Sequence, residues 1–245
     1  MAPLGGGVQL GRYRGDGHDE EEDVGAGAAP ERGALEPPHG RAQLIMCSGL
    51  NDVIPGNAVH LCVDMQRMFV EDTPWRMPWA ERVLPVIVEI CERQAARTCF
   101  TRFIPAAHPG EGRGRWRRYW EQWPSMTLEH LASEAIELAQ PLQGFTPPAR
   151  EFDKPVYSPW PGGVLDMALA RGGVDTLVVT GGETDVCVLA TVLGAVDLGY
   201  RVVVVENALC SSSDESHDAL LGLYHNRYSQ QVETAEAAEV LEAWR

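Results

Sequence analysis

Cys187 is the residue of this chain whose type and surroundings best fit nucleophilic chemistry. It lies in residues 180–188 (TGGETDVCV), where an apolar strand runs into a glycine turn and an apolar helix begins. Positive potential and unpaired N–H groups in the first turn of a helix favour a thiolate over a thiol. Because many cysteines are only small buried hydrophobic residues, the interpretation of Cys187 as a nucleophile depends on what surrounds it in the fold.

Asp64 and Lys154 are the residues that favour the catalytic interpretation. Asp64 follows the apolar run 59–63, and Lys154 follows the short segment 151–153. Ligands of open parallel sheets bind outside the carboxyl ends of the strands, so we expect all three side chains at the same edge of a sheet. There Asp64 could take the thiol proton, while Lys154 stabilises the thiolate and orients the carboxylate. Without Cys187, the other two would be read as an ordinary ion pair.

The elements that must position these residues follow a strand–helix alternation that starts near residue 57. This pattern predicts an α/β fold, namely a three-layer α/β/α domain with a doubly wound, parallel, six-stranded sheet. The predicted strands are residues 59–63, 98–103, 150–153, 176–180, 201–205 and 231–234. The predicted helices include residues 79–96, 127–139, 163–170, 186–198 and 214–224.

Two regions of different composition define the predicted domain organisation. Residues 1–42 are rich in Gly, Ala and Pro, with an acidic cluster at 16–23, and they offer little apolar periodicity. We expect a disordered extension there, with a docking tail or an early start codon as alternatives. Residues 43–245 are predicted to form a single catalytic domain.

Overall charge and cysteine usage limit the partners and the location. The 20 basic and 35 acidic residues give a net charge of −15, which repels nucleic acid and anionic membranes. The six cysteines form no CxxC pair, as in reduced cytosolic proteins. No apolar stretch approaches the ~20 residues needed to span a bilayer. We therefore predict a cytoplasmic protein that binds a small-molecule substrate, without nucleic acid or membrane partners.

Three motifs in order resemble those of the isochorismatase-like cysteine hydrolases, over roughly residues 57–235. They are residues 63–69 (VDMQRMF), 152–155 (FDKP) and 181–188 (GGETDVCV). The resemblance implies that Cys187 is the nucleophile, Asp64 the proton acceptor and donor, and Lys154 the third member of the triad.

The same resemblance implies the geometry that would stabilise an oxyanion. It implies a cis peptide bond between Gly182 and Glu183, which aims backbone N–H groups at the oxyanion. Glu183 and Cys187 are the implied backbone donors.

The chain differs from nicotinamidases and isochorismatases at positions that bear on the expected metal and the bond to be cleaved. Nicotinamidases carry an Asp-x-His metal pair just after the second strand, whereas this chain reads TRFIP at residues 101–105. The histidines show no zinc-ligand spacing such as HExxH. We therefore expect no catalytic metal and no cofactor. Isochorismatases that cleave a vinyl ether typically lack the cysteine, so Cys187 points to the amidase branch.

Candidate pocket residues are fewer and rest on weaker signals. By motif match Phe69 should line the substrate pocket, and Trp160 is a second aromatic candidate; core packing is the alternative for both. Arg102 could pair with a substrate carboxylate or form a structural salt bridge. An aromatic stripe lies within residues 113–123, and we expect it to pack against a neighbouring helix or subunit. Its members are Trp116, Tyr119, Trp120 and Trp123.

Together these features predict a metal-independent cysteine hydrolase that cleaves a carboxamide, ureido or carbamoyl C–N bond through a thioester. The alternatives are a non-catalytic binding or assembly member of the fold and an isochorismatase-type vinyl ether hydrolase. We also expect a homo-oligomer, either a dimer or a tetramer.

Overall fold

The computed structural model describes residues 49–245. The predicted extension at 1–42 and the first residues of the predicted domain lie outside the described residues. The strands are β1 (Val59–Val63), β2 (Thr98–Phe103), β3 (Arg150–Lys154), β4 (Thr176–Gly182), β5 (Arg201–Cys210) and β6 (Val232–Ala235). The α-helices are α1 (Arg67–Val70), α2 (Ala80–Gln94), α3 (Arg115–Gln122), α4 (Gln140–Gln143), α5 (Val164–Arg171), α6 (Leu189–Asp197), α7 (Asp214–Asn226) and α8 (Ala237–Ala243).

The six strands form one sheet in the order β3-β2-β1-β4-β5-β6, and every neighbouring pair is parallel. All five residues of β1 are buried, as expected for a parallel strand covered on both faces. Cys62 packs into a cluster with α2 and α8. Leu61 packs into a second cluster with α5, α6 and α7 on the opposite face. The predicted three-layer, doubly wound fold is confirmed.

The strand order determines where a ligand can bind. From β1 the chain proceeds to β2 and β3 on one side, then returns to β4 on the other side of β1. The carboxyl ends of β1 and β4 therefore flank the point where the strand order reverses, which is the ligand crevice of open α/β sheets. Asp64 follows β1 directly, and the turn that contains Cys187 follows β4.

One predicted helix, at residues 127–139, is wrong. The segment contains only a short 3₁₀ turn at Ser133–Ile136. The N–H groups of Leu128 and Ala139 instead donate to the carbonyls of Ala106 (2.9 Å) and Met65 (2.8 Å) in other parts of the chain. These tertiary hydrogen bonds override the helical propensity of the segment. Within residues 49–245, no helix is both long and apolar enough to cross a membrane.

Candidate active site

Close contact between β1 and β4 brings the two sides of the crevice together. Gly181 has a φ of 107°, and a Cβ atom at this position would collide with the carbonyl oxygen of Val63. Only glycine allows this approach, which sets the chain after β4 beside Asp64. The peptide bond between Gly182 and Glu183 is cis, as the family resemblance implies.

Asp64 is held in one orientation by hydrogen bonds to both of its carboxylate oxygens. Its side chain is 1% exposed, and Oδ2 accepts from the Lys154 ammonium at 2.7 Å. Oδ1 accepts from the Thr101 hydroxyl at 2.6 Å. The backbone of Asp64 has a φ of 49°, an uncommon conformation for a residue other than glycine that is often retained at functional sites.

Lys154 completes a buried ion pair with Asp64. Its side chain is 4% exposed, and its ammonium also donates to the Val156 carbonyl at 3.2 Å. Burial lowers the pKa of Lys154, but the negative charges of Asp64 and of an ionised Cys187 outweigh burial and raise it. The ammonium therefore stays charged and can stabilise negative charge on the sulfur.

Cys187 lies in a π-helical turn, Thr184–Val188, that leads into α6. The residue is 6% exposed. Burial raises the pKa of its thiol well above the ordinary value, the Asp64 carboxylate raises it further, and Lys154 lowers it. Burial thus opposes the thiolate that the helix end favours, and Lys154 is the neighbouring group that offsets burial.

Side-chain hydrogen bonds fix the turn that carries Cys187. The Thr184 hydroxyl donates to the Cys210 carbonyl at 3.1 Å and pairs with the His217 ring at 2.9 Å. These bonds attach the start of the turn to β5 and α7. The Thr191 hydroxyl donates to the Cys187 carbonyl at 2.7 Å, which ties the turn to α6.

Backbone N–H groups in the same turn differ in their availability. Those of Val186 and Val188 both donate to the Glu183 carbonyl, at 3.1 and 3.0 Å. The family resemblance implies Glu183 and Cys187 as the oxyanion donors. The N–H groups of Val186 and Val188 are already bonded to the Glu183 carbonyl.

A cavity of about 280 Å³ opens onto Cys187. Its polar lining includes Glu183 and Ser212. Phe69 and Trp75 stack with their ring centroids 6.1 Å apart. The aromatic lining consists of Phe69, Trp75, Phe103, Tyr119, Trp123 and Tyr157. This arrangement suits a small, flat, largely apolar molecule whose reactive carbonyl faces the sulfur.

Phe69 is thus placed where the sequence predicted, but Arg102 is not. The Arg102 guanidinium binds Asp153 at 2.7 Å and Glu151 at 3.0 Å. It is absent from the lining of the Cys187 cavity. The carboxylates of β3 neighbour Arg102 across the sheet, so the structural salt bridge that was the alternative is what forms.

Trp160 also lies away from this cavity. Its indole N–H donates to the Thr191 carbonyl at 2.9 Å, and its ring stacks on Tyr200 at 5.7 Å. A side chain at Gly194 would clash with the indole. Trp160 therefore packs against α6, as in the core-packing alternative.

Five aromatic residues of the lining were not predicted as pocket residues: Trp75, Phe103, Tyr119, Trp123 and Tyr157. Tyr119 and Trp123 belong to the stripe that we expected to serve packing alone. Trp120 packs against β2 rather than a helix, with its ring stacked on Phe103 at a centroid distance of 6.0 Å. The available signal was topological, because α3 follows β2 and therefore starts from the same edge of the sheet as the triad.

Known proteins with related sequences agree with this architecture. Residues 58–236 match the protein-family model described as an isochorismatase domain. The chain belongs to the isochorismatase family of hydrolases. The uncharacterized family protein YwoC of Bacillus subtilis (strain 168) is 36% identical over 75 residues, covering 31% of this chain and 40% of that protein. The uncharacterized family protein YecD of Escherichia coli O157:H7 is 37% identical over 54 residues, covering 22% of this chain and 29% of that protein. These matches span less than half of each curated relative.

Solved structures share the fold of this family member at low identity. An isochorismatase family protein from Desulfovibrio vulgaris (Hildenborough) has a TM-score of 0.64 and 21% identity, covering 76% of this chain and 97% of that chain. A cysteine hydrolase from Pseudomonas syringae pv. phaseolicola has a TM-score of 0.63 and 23% identity, covering 76% of this chain and 92% of that chain. Nicotinamidase PncA from Bacillus subtilis has a TM-score of 0.60 and 21% identity, covering 73% of this chain and 99% of that chain.

The carboxyl end of β2 has no donor set for a metal. Thr101 is bonded to Asp64, Arg102 to two acids, and Phe103 lines the cavity. Across residues 49–245, no three His, Cys, Asp or Glu side chains cluster in a way that could hold a metal ion. That turnover proceeds without a metal stays a prediction.

Proposed function

We propose that this isochorismatase family member is a metal-independent cysteine amidohydrolase. It would cleave the C–N acyl bond of a small carboxamide, ureide or carbamoyl compound through a thioester. The observation that carries the proposal is the buried Asp64–Lys154 pair, with its 2.7 Å contact, beside a thiol whose pKa both charges influence. A nucleophile, an adjacent base and an orienting cation are the groups that covalent acyl transfer requires.

In the acylation step, Asp64 accepts the thiol proton as the Cys187 sulfur attacks the substrate carbonyl. Burial and the Asp64 charge raise the pKa of the thiol, so the attack requires an adjacent group that takes the proton. Lys154 stabilises the forming thiolate. Asp64 then returns the proton to the nitrogen as the C–N bond breaks, and ammonia or an amine departs.

In the deacylation step, water attacks the thioester carbonyl while Asp64 accepts its proton. The C–S bond breaks, the carboxylic acid leaves, and the sulfur regains a proton from Asp64. The N–H groups of Glu183 and Cys187 are proposed to donate to the oxyanion in both steps. The hydrogen bonds from Thr101 and Lys154 keep the carboxylate aligned throughout the cycle.

An ammonia-release assay on a panel of ureides, carbamoylated amino acids and carboxamides tests the proposal. We expect at least one compound to release ammonia with the wild-type protein and with Cys99→Ala, a control at a buried cysteine outside the cavity. Cys187→Ala should release none. Hydrolysis of a vinyl ether but of no amide would favour the isochorismatase reaction instead, and binding without turnover would indicate a non-catalytic member of the fold.

A further inference from the structure

One carboxylate in the Cys187 cavity has no part in the proposed reaction. Glu183 is the only charged side chain among the described residues that line this cavity, and it forms no salt bridge within residues 49–245. Its Oε1 atom accepts one hydrogen bond, from the Ser212 N–H at 3.3 Å. The proposed reaction uses its backbone N–H and leaves the side chain free to meet a ligand.

Lys154 and Arg102, the cations considered for the site, do not pair with Glu183. Lys154 is paired with Asp64 at 2.7 Å, and Arg102 is paired with two acids of β3. Burial raises the pKa of Glu183, and the charge of Asp185 raises it further, while the hydrogen bond from Ser212 lowers it. The half-buried carboxylate therefore lies near another negative group. A cation beside it would offset both the burial of its charge and the repulsion from Asp185.

The rest of the cavity suits the same kind of ligand. Six aromatic rings line it, and the faces of aromatic rings attract organic cations, most strongly where water is excluded. Its volume of about 280 Å³ lies just below the range of drug-sized pockets, ~300–1,000 Å³. The ligand is therefore expected to contain a single ring or a chain of similar size.

Resting on the proposed function, we propose that the Glu183 side chain selects amide substrates that carry a positively charged nitrogen elsewhere in the molecule. Such a group would contact the carboxylate while the scissile carbonyl faces Cys187. Substrates with a free carboxylate would be repelled, since no unpaired cation lines the described part of the cavity. This selection is the reverse of the carboxylate recognition considered for Arg102.

Charged thiol reagents test the selection without turnover. Cys187 is labelled with (2-trimethylammonioethyl) methanethiosulfonate or with (2-sulfonatoethyl) methanethiosulfonate, and peptide mass spectrometry measures each rate at Cys187. Each rate is divided by the rate of the same reagent with 2-mercaptoethanol. We expect a cation-to-anion ratio on the order of tenfold in the wild type, falling to near unity in Glu183→Gln. Glu121→Gln, which removes one charge from an exposed position of α3, should keep the wild-type ratio.

A matched set of amides tests the same selection during turnover. The compounds are 4-(aminomethyl)benzamide, 4-methylbenzamide and 4-carboxybenzamide, which differ in charge at one position. We expect kcat/KM to fall in that order. Glu183→Gln should lower kcat/KM about tenfold more for the cationic amide than for the neutral amide.

The two experiments separate this inference from the proposed function. Equal labelling ratios in the wild type and Glu183→Gln, a preference for the anionic reagent, or no labelling of Cys187 by either reagent would overturn the role of Glu183. If the ratios follow the expectation but no amide is hydrolysed, charge selection stands and the amidohydrolase proposal is refuted.

Discussion

Replacing Lys154 with Met would leave the Asp64 carboxylate buried without its counter-charge. The two side chains are 4% and 1% exposed, and their charged atoms are 2.7 Å apart. Met keeps most of the length and apolar volume of the lysine side chain. The change therefore removes the ammonium while introducing little empty space into the site.

The loss of stability depends on whether the unpaired Asp64 carboxylate stays charged or takes up a proton. Leaving one member of a buried pair uncompensated destabilises proteins by about 3–5 kcal/mol. The carboxyl can avoid this by taking up a proton, which at pH 7 costs an ordinary aspartate about 4 kcal/mol and at pH 5 about 1.5 kcal/mol. We therefore expect Lys154→Met to lower the free energy of unfolding by about 4 kcal/mol at pH 7, and by less than half of that at pH 5.

Urea unfolding at fixed protein concentration, at both pH values, measures the difference from the wild type. Arg93→Met is the control, because Arg93 pairs with Glu89 at 3.0 Å where the side chains are 58% and 52% exposed. Such a surface pair should contribute under about 1 kcal/mol. A Lys154→Met effect as small as the control, or one that does not shrink at pH 5, would refute the reasoning about this ion pair.

Three further predictions concern the base, the metal and a buried histidine. Asp64→Asn should lower kcat by at least ~10²-fold, because it removes the proton acceptor; steady-state ammonia release measures this. Prolonged chelation should leave turnover unchanged, and elemental analysis should find no stoichiometric metal. Burial lowers the pKa of His60 to about 3, so the unfolded chain binds an extra proton between pH 3 and 6.5. Stability should therefore fall as pH drops through this window, with His60 contributing about 2 kcal/mol of the loss by pH 5; urea unfolding of the wild type and His60→Gln at pH 7 and 5 isolates that share.

Each of these predictions has a clear contrary result. Near-normal turnover by Asp64→Asn would exclude Asp64 as the base. Loss of turnover on chelation, restored by one added metal, would reopen the nicotinamidase interpretation. If His60→Gln loses as much stability as the wild type between pH 7 and 5, His60 is not the source of the loss. His108→Asn, at an exposed position, should behave like the wild type.

The sheet and the edge that holds the triad were predictable because their signals are local. The apolar run before Asp64 specifies β1, and β1 and β2 begin and end at the predicted residues. The parallel topology then requires the carboxyl ends of the strands to lie at one edge. Lys154 and Cys187 consequently fall beside Asp64 without any knowledge of side-chain packing.

The lining of the cavity and the burial of Cys187 were not predictable in this way. Trp75 and Tyr157 reach the cavity from loops, and their positions depend on tertiary contacts with α3, such as the 6.0 Å approach of Trp75 to Tyr119. The helix-end argument for a Cys187 thiolate omitted the depth of burial, which only the folded structure supplies. Arg102 was ambiguous because its partners, the acids of β3, become neighbours only through strand register.

The most direct test of the account is to trap the acyl group on the nucleophile. The wild-type protein is mixed with an amide that it hydrolyses, quenched in acid within one turnover, and digested for peptide mass spectrometry. We predict that the peptide containing Cys187 gains the mass of the acyl group, and that hydroxylamine removes it, as expected for a thioester. An acyl adduct on another residue, or rapid turnover with no adduct in wild type and full activity in Cys187→Ala, would contradict the central claim.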